Sequence, residues 1–194
     1  MSKDTEDFKE KIRERMESYI AEPAKDIGLD IIKKLCSEEG IKEPEVWFKI
    51  TYEGEGAFRW SEDSGYDDIL ATRVKYTGPT IVLHKNLPKV VDLARYLDID
   101  KEKWMKYWKR TVAHEWYHYK QYTEGVLSED LPPHTIENPA QRFAADFIDM
   151  TEKEARELGS EMRSRFQMID GAYENREVPT LQEAVERWGY GVSY

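Results

Sequence analysis

The chain has 194 residues, 40% hydrophobic and 35% charged, and its 29 basic and 39 acidic side chains give a net charge of -10. These values predict one domain, 1–194, made of residues 1–40, a core of 45–150 and a C-terminal part of 151–194. The negative charge argues against a nucleic-acid partner or an anionic membrane surface. A lone cysteine, a charged N-terminal stretch and no long apolar run predict a cytoplasmic protein without a membrane span. Abundant charge with few Asn and Gln is typical of thermophile proteins.

The first half of the chain changes from a helical to a strand-like pattern. Residues 4–39 predict two helices separated near Pro23, which interrupts the helical pattern. Residues 46–52 and 57–60 are rich in β-branched and aromatic side chains, and Gly54 and Gly56 between them predict a hairpin. An acidic loop over 61–68 precedes two further predicted strands, 69–76 and 80–84.

The second half is predicted to be helical. A short helix is expected over 89–97 and a long one over 101–121, capped by Asp98 or Asp100 and ended by Gly125. After an irregular stretch at 126–134, helices are predicted over 136–151, 152–168 and 181–188. Helices, then strands, then helices without regular alternation predict an α+β fold with a small mixed sheet of three or four strands.

The long helix carries the pattern His114-Glu115-Trp116-Tyr117-His118. Residues four apart share a helix face, so both imidazoles can reach one metal ion, while Glu115 lies about 100° around the helix, beside the bound water. Two histidines and a carboxylate at this spacing predict a catalytic zinc site. A second stripe of the same helix predicts its buried face: Met105, Trp108, Val112, Trp116 and Tyr119.

A catalytic zinc site needs a third protein ligand after His118. A three-histidine pattern is excluded, because Gln121 and Glu124 occupy the positions of its glycine and last histidine. Asp130, His134 and Glu137 remain candidates from the residues alone. Asp146 is a fallback, about 180° around its helix from Glu137, so the two carboxylates cannot face one metal.

The segment that begins Glu137-Asn138-Pro139-Ala140 and ends Phe143-Ala144-Ala145 carries a family resemblance. It resembles the ExxAxxFA signature that follows HExxH in gluzincin-type metallopeptidases of the ImmA/IrrE kind and in small archaeal gluzincins. The resemblance implies a zincin-like fold, Zn²⁺ as cofactor, and Glu137 as the third ligand. It also implies a hydrogen-bond partner for a ligand histidine at position 141, where this chain has Gln141. Pro139 is expected within the first turn of its helix.

The resemblance implies a zinc metallopeptidase that acts as an endopeptidase, cleaving internal peptide bonds of a peptide or protein substrate. Zinc would acidify a water and Glu115 would act as the general base. His134 and Tyr122 are the nearby candidates for stabilising the transition state. Residues 80–84 resemble the zincin edge strand along the substrate cleft, although a core strand fits equally well. A latent enzyme, closed by the aromatic segment 188–194, and a non-catalytic zincin-fold regulatory protein are the alternatives.

Overall fold

The computed structural model describes residues 23–51, 55–59, 65–67, 72–74, 78–97, 100–127 and 131–173. Within these residues the fold is α+β, with five helices, a three-stranded mixed sheet and a two-stranded ribbon. The predicted helices in 1–22 and over 181–188, and the aromatic segment 188–194, lie outside the described residues. None of the described helices is long and apolar enough to span a membrane.

The sheet contains β1 (Glu45–Lys49), β2 (Gly56–Arg59) and β5 (Thr80–His84), in the order β1-β5-β2. Strand β5 runs parallel to β1 and antiparallel to β2. The predicted hairpin between β1 and β2 is therefore wrong. Gly56 is the first residue of β2, Gly54 lies outside the described residues, and β5 inserts between β1 and β2. All five residues of β5 are buried, which suits the centre of the sheet.

The same arrangement decides between the two interpretations of residues 80–84. They form the central strand, so the interpretation as an edge strand is wrong. Strand β2 lies at the border of the sheet as far as the described residues extend. A separate antiparallel ribbon pairs β3 (Gly65–Asp67) with β4 (Thr72–Val74), so the predicted loop over 61–68 contains a short strand.

Two helices pack against the central helix on the side of the core. Helix α1 (Pro23–Glu39) approaches closely because Gly28 has no side chain: a Cβ there would lie 2.5 Å from Trp108 Cζ2. The Trp108 indole N–H donates to the Ala24 carbonyl at 2.6 Å. Helix α2 (Leu87–Leu97) supplies Asp92, whose carboxylate accepts from the Ala24 backbone N–H at the start of α1.

The long helix α3 (Lys101–Thr123) contacts the four other helices as well as β2 and β5. Its predicted buried stripe is largely confirmed: Trp108, Val112, Trp116 and Tyr119 belong to the core, and Met105 packs against it. The predicted cap at Asp100 is corrected. Asp100 precedes the helix in a left-handed conformation and makes no capping hydrogen bond, because its carboxylate pairs with Arg165 instead.

Helices α4 (Pro133–Phe147) and α5 (Glu152–Tyr173) complete the described chain. Helix α4 begins three residues earlier than predicted, since Pro133 is preorganised for a first helical position. Pro139 therefore lies in the second turn, not the first. Helix α5 starts with a reciprocal cap, in which the Thr151 N–H donates to the Glu154 carboxylate and the Glu154 N–H donates to the Thr151 hydroxyl.

Candidate metal centre

Helix α3 presents the two histidines of the HExxH pattern side by side. Their Nε2 atoms lie 3.2 Å apart, and their rings are nearly perpendicular, with centroids 4.7 Å apart. The helix continues without interruption through this region, so the four-residue spacing places both rings on one face.

Glu137, in the first turns of α4, brings its carboxylate to the same point. Its Oε2 lies 3.3 Å from His114 Nε2, and its Oε1 lies 3.4 Å from His118 Nε2. We call these three residues the ligand cluster. Among the histidine, cysteine, aspartate and glutamate side chains of the described residues, these three lie close enough together to hold a metal ion.

The separations within the ligand cluster fit a tetrahedral ion. Zinc with bonds of about 2.0–2.1 Å to nitrogen and oxygen holds neighbouring ligand atoms about 3.3 Å apart. The His114–His118 distance of 3.2 Å is close to this value, and the two rings lie 3.3 and 3.4 Å from different oxygens of the Glu137 carboxylate, so one ligand atom from each residue lies within 4.8 Å of the others. Two imidazoles and one carboxylate also form the donor set of a hydrolytic zinc site with an open fourth position.

The electrostatics of the ligand cluster call for a positive charge. Burial raises the pKa of Glu137, but hydrogen bonds from His114 and His118 outweigh burial and hold that pKa well below its usual range. Burial lowers the pKa of His118, but its contacts with Glu137 and Glu115 outweigh burial and raise it. The carboxylate therefore stays ionised and attracts a cation, which is either a proton on a ring or a metal ion.

Glu115 lies beside the ligand cluster and is only 7% exposed. Burial raises its pKa, opposed by His114 and His118 and reinforced by the Glu137 and Glu55 carboxylates. Strand β2 passes directly over this side chain: a Cβ on Gly56 would lie 2.9 Å from Glu115 Cγ and 3.2 Å from its Oε1. Only a glycine leaves room for the carboxylate in this position.

A second group of charged and polar side chains lies near Glu115 and contains a buried ion pair. Arg163 of α5 donates to both oxygens of the buried Glu55 carboxylate, at 2.7 and 3.1 Å. Burial raises the pKa of Glu55, and the Arg163 guanidinium more than reverses this, so the pKa is lowered. We call the four residues here the ion-pair network: Glu55, Tyr107, Arg110 and Arg163.

The Gln121 side chain is a contact of the ligand cluster that sequence reasoning missed. Its Oε1 lies 2.9 Å from His118 Nδ1, and its Nε2 donates to the Ile136 carbonyl at 3.0 Å. The signal was present in the sequence, because Gln121 follows His118 by three residues and shares its helix face. By contrast, His114 Nδ1 is buried and has no hydrogen-bond partner among the described residues.

Gln141 accepts from neither Nδ1 atom in the described structure, and its role as a partner of a ligand histidine stays a prediction. The Nδ1 atom of His118 faces Gln121, and that of His114 has no partner in the described part of the chain. Gln121 succeeds because it lies on the same helix as the ring that it contacts, whereas Gln141 would have to reach across from α4.

The other predicted site residues lie apart from the ligand cluster or stay untested. Tyr122 is 37% exposed and packs against Phe58 of β2, with ring centroids 5.8 Å apart. His134 is exposed in the first turn of α4, not in the predicted irregular loop. Asp146, the fallback ligand, is exposed near the end of α4, and Asp130 lies outside the described residues. Roles for His134 and Tyr122 in transition-state stabilisation stay predictions.

The site geometry and the sequence are thus the grounds on which a function can be argued. No protein-family profile, curated protein or solved structure significantly matches this chain.

Proposed function

We propose that the protein is a zinc-dependent metallopeptidase with a gluzincin-type site in a zincin-like fold. In this proposal His114, His118 and Glu137 hold the zinc, and Glu115 is the general base. The observation that carries the proposal is the set of separations from 3.2 to 3.4 Å within the ligand cluster, immediately beside a buried carboxylate. A small mixed sheet with an antiparallel strand next to the HExxH helix further supports the zincin-like fold.

The chemistry assigned to Glu115 follows from its environment. When bound, zinc supplies the Lewis acidity that acidifies water and polarises a peptide carbonyl. Glu115 accepts the proton as water attacks and then returns it to the leaving amine. Burial favours this role because it raises the carboxyl pKa towards the working pH, and a base of matched pKa transfers protons efficiently.

The Gly56 backbone and the ligand histidines both lie close to Glu115. The backbone of β2 restricts the space open to the carboxylate, and His114 and His118 interact with its charge. Because the Glu115 carboxylate is already held in position, no entropy is lost in positioning it during the reaction, and this lowers the activation free energy. The proposed substrate is a peptide or an unfolded protein.

The test is a comparison of Glu115→Gln with the wild type. The variant should keep stoichiometric zinc, measured by elemental analysis, and lose about 100- to 10,000-fold in cleavage of an unfolded protein, since general-base catalysis contributes on this scale. Glu102→Gln is the matched control, because Glu102 lies on the same helix with an 80% exposed side chain. Zinc binding without any cleavage by the wild type would instead favour a non-catalytic zincin-fold regulatory protein.

A further inference from the structure

The buried side-chain amide of Gln121 makes two hydrogen bonds, one as acceptor and one as donor. It is only 3% exposed. Its Oε1 lies 2.9 Å from His118 Nδ1 and its Nε2 lies 3.0 Å from the Ile136 carbonyl oxygen, one residue before Glu137. Burying a polar side chain costs free energy unless its polar atoms form hydrogen bonds, and these two contacts provide one for the amide oxygen and one for the amide nitrogen.

The Ile136 carbonyl determines which way the amide points. A carbonyl oxygen only accepts hydrogen bonds, so the amide NH₂ must face Ile136 and the amide oxygen must face His118. With the reverse orientation, two oxygens would meet at 3.0 Å. The amide is thus oriented by the backbone next to the third residue of the ligand cluster.

The oriented amide in turn determines the tautomer of His118. Because Gln121 Oε1 can only accept, His118 Nδ1 must carry the hydrogen and donate it. The neutral ring then has its lone pair on Nε2, the atom that faces His114 Nε2 and Glu137 Oε1. The Glu137 carboxylate competes for a hydrogen on Nε2, but from 3.4 Å, a longer contact than the 2.9 Å between Nδ1 and Gln121 Oε1. His114 has no equivalent arrangement, since its Nδ1 lacks a partner among the described residues.

We propose that Gln121 is a positioning residue that selects the Nδ1–H tautomer of His118, with its own amide oriented by the Ile136 carbonyl. The consequence for zinc affinity rests on the proposed function. The tautomer itself does not, because it is a property of the metal-free protein. A neutral amide also keeps further negative charge away from a cluster that already contains Glu137 and lies beside Glu115.

Two substitutions separate this role from simple packing. Gln121→Met fills a similar volume but cannot accept from His118. Gln121→Glu can still accept from His118 with either oxygen, but its other oxygen then faces the Ile136 carbonyl, so it keeps the contact with His118 and loses the hydrogen bond to Ile136. Gln141→Met is the matched control, because it makes the same change at a glutamine that accepts from neither Nδ1 atom.

The first measurement is the tautomer of His118, read from ¹H–¹⁵N spectra of the metal-free protein at a pH where the ring is neutral. Wild type, Gln121→Glu and Gln141→Met should have the hydrogen on Nδ1, and Gln121→Met should lose this preference. The second measurement is zinc affinity by chelator competition. It should fall about 10- to 100-fold in Gln121→Met, the range for outer partners of metal ligands, and less than about tenfold in Gln121→Glu.

Retention of the Nδ1–H tautomer in Gln121→Met would overturn the inference. Equal losses of zinc affinity in the Met and Glu variants would also overturn it. If the wild type binds no zinc, the proposed function fails, and the tautomer still tests Gln121. If Gln121→Met does not fold in thermal unfolding experiments, loss of the Nδ1–H tautomer in Gln121→Glu contradicts the inference and its retention supports it.

Discussion

Two groups of charged residues lie near Glu115 of helix α3, the ion-pair network and the ligand cluster, and they differ in how their charges are compensated. In the ion-pair network, both oxygens of the Glu55 carboxylate accept hydrogen bonds from one guanidinium. In the ligand cluster, two ring nitrogens and a carboxylate converge, and the pKa of His118 is raised while that of Glu137 is lowered. The pairing of Glu55 with Arg163 gives the ion-pair network a structural role.

The ligand cluster differs because its two imidazoles and one carboxylate converge with no lysine or arginine paired to them among the described residues. Burying such a group costs free energy that a purely structural role would not require. Sites where charges are held close without full compensation are characteristic of function. The comparison predicts that substitutions in the ligand cluster change zinc binding, whereas substitutions in the ion-pair network change stability.

The largest expected effect is that of Glu137→Gln on zinc binding. Affinity should fall by more than about 100-fold, because losing a ligand costs more than the roughly 10- to 100-fold lost with an outer partner. Chelator competition measures the change. The control is Glu124→Gln, because the Glu124 side chain is 51% exposed and that of Glu137 is 45% exposed. Unchanged affinity in Glu137→Gln would reject Glu137 as the third ligand.

The next effect is that of Gly56→Ala, which tests the close contact between β2 and Glu115. A Cβ at 2.9 Å from Glu115 Cγ must displace the carboxylate or β2. A shift of about 1 Å can cost about 100-fold in rate, so we expect a loss of up to that size in peptide cleavage. Zinc affinity should be unchanged. Gly78→Ala is the control, because a Cβ there meets nothing within 4 Å, and equal activity of the two variants would contradict the prediction.

A smaller effect is expected from Arg163→Met in the ion-pair network. Removal of the guanidinium leaves the buried Glu55 carboxylate uncompensated. Fully buried pairs cost 3–5 kcal/mol when broken, and Arg163 is half-exposed, so we expect a loss of about 2 kcal/mol in the free energy of unfolding. Urea denaturation measures it.

Lys103→Met is the control for Arg163→Met, because it breaks the exposed pair with Glu161, which is worth at most about 1 kcal/mol. Metal affinity should be unaffected in both variants. A tenfold loss of zinc affinity in Arg163→Met would show that the ion-pair network and the ligand cluster are coupled.

The smallest effect concerns the pH dependence of the same pair. The folded-state pKa of Glu55 is lowered from its ordinary value of 4.5, so its stabilising contribution is complete above that pH and is lost as pH falls through the folded pKa. In Arg163→Met the main pKa-lowering partner of Glu55 is gone, so burial is opposed only by the weaker hydrogen bonds from Tyr107 and the Glu55 backbone, and this pKa rises relative to the wild type. The stability difference between wild type and variant should therefore narrow as pH falls through about 4.5. A difference that is constant from pH 7 to pH 3 would contradict this account.

Local patterns in the sequence were sufficient to predict the histidine half of the site. His114, Glu115 and His118 belong to one continuous helix, and helical periodicity alone determines which residues share a face. The same periodicity predicted the buried stripe of α3. Proximity of Glu137 to both histidines required more, because it depends on how α4 returns towards α3. That prediction came from a resemblance, and the three residues do lie together.

Errors in the predicted sheet have a different physical cause. Residues 46–52 and 57–60 have the pattern of a hairpin, but β5 competes for both partners and takes the central position. The pairing energy of strands depends on burial and on the whole set of available partners. A local pattern therefore predicts that strands exist, and not which strands are neighbours.

What the sequence determined by itself is the α+β composition and the one-helix arrangement of His114, Glu115 and His118. What only the tertiary structure decided is the surroundings of these residues. Glu55 and Arg163 meet across 108 positions, and Gly56 reaches Glu115 from a strand. Helical spacing is dictated by backbone geometry within a few residues, whereas contacts over such separations form only when burial of the whole core compensates the entropy of closing the chain.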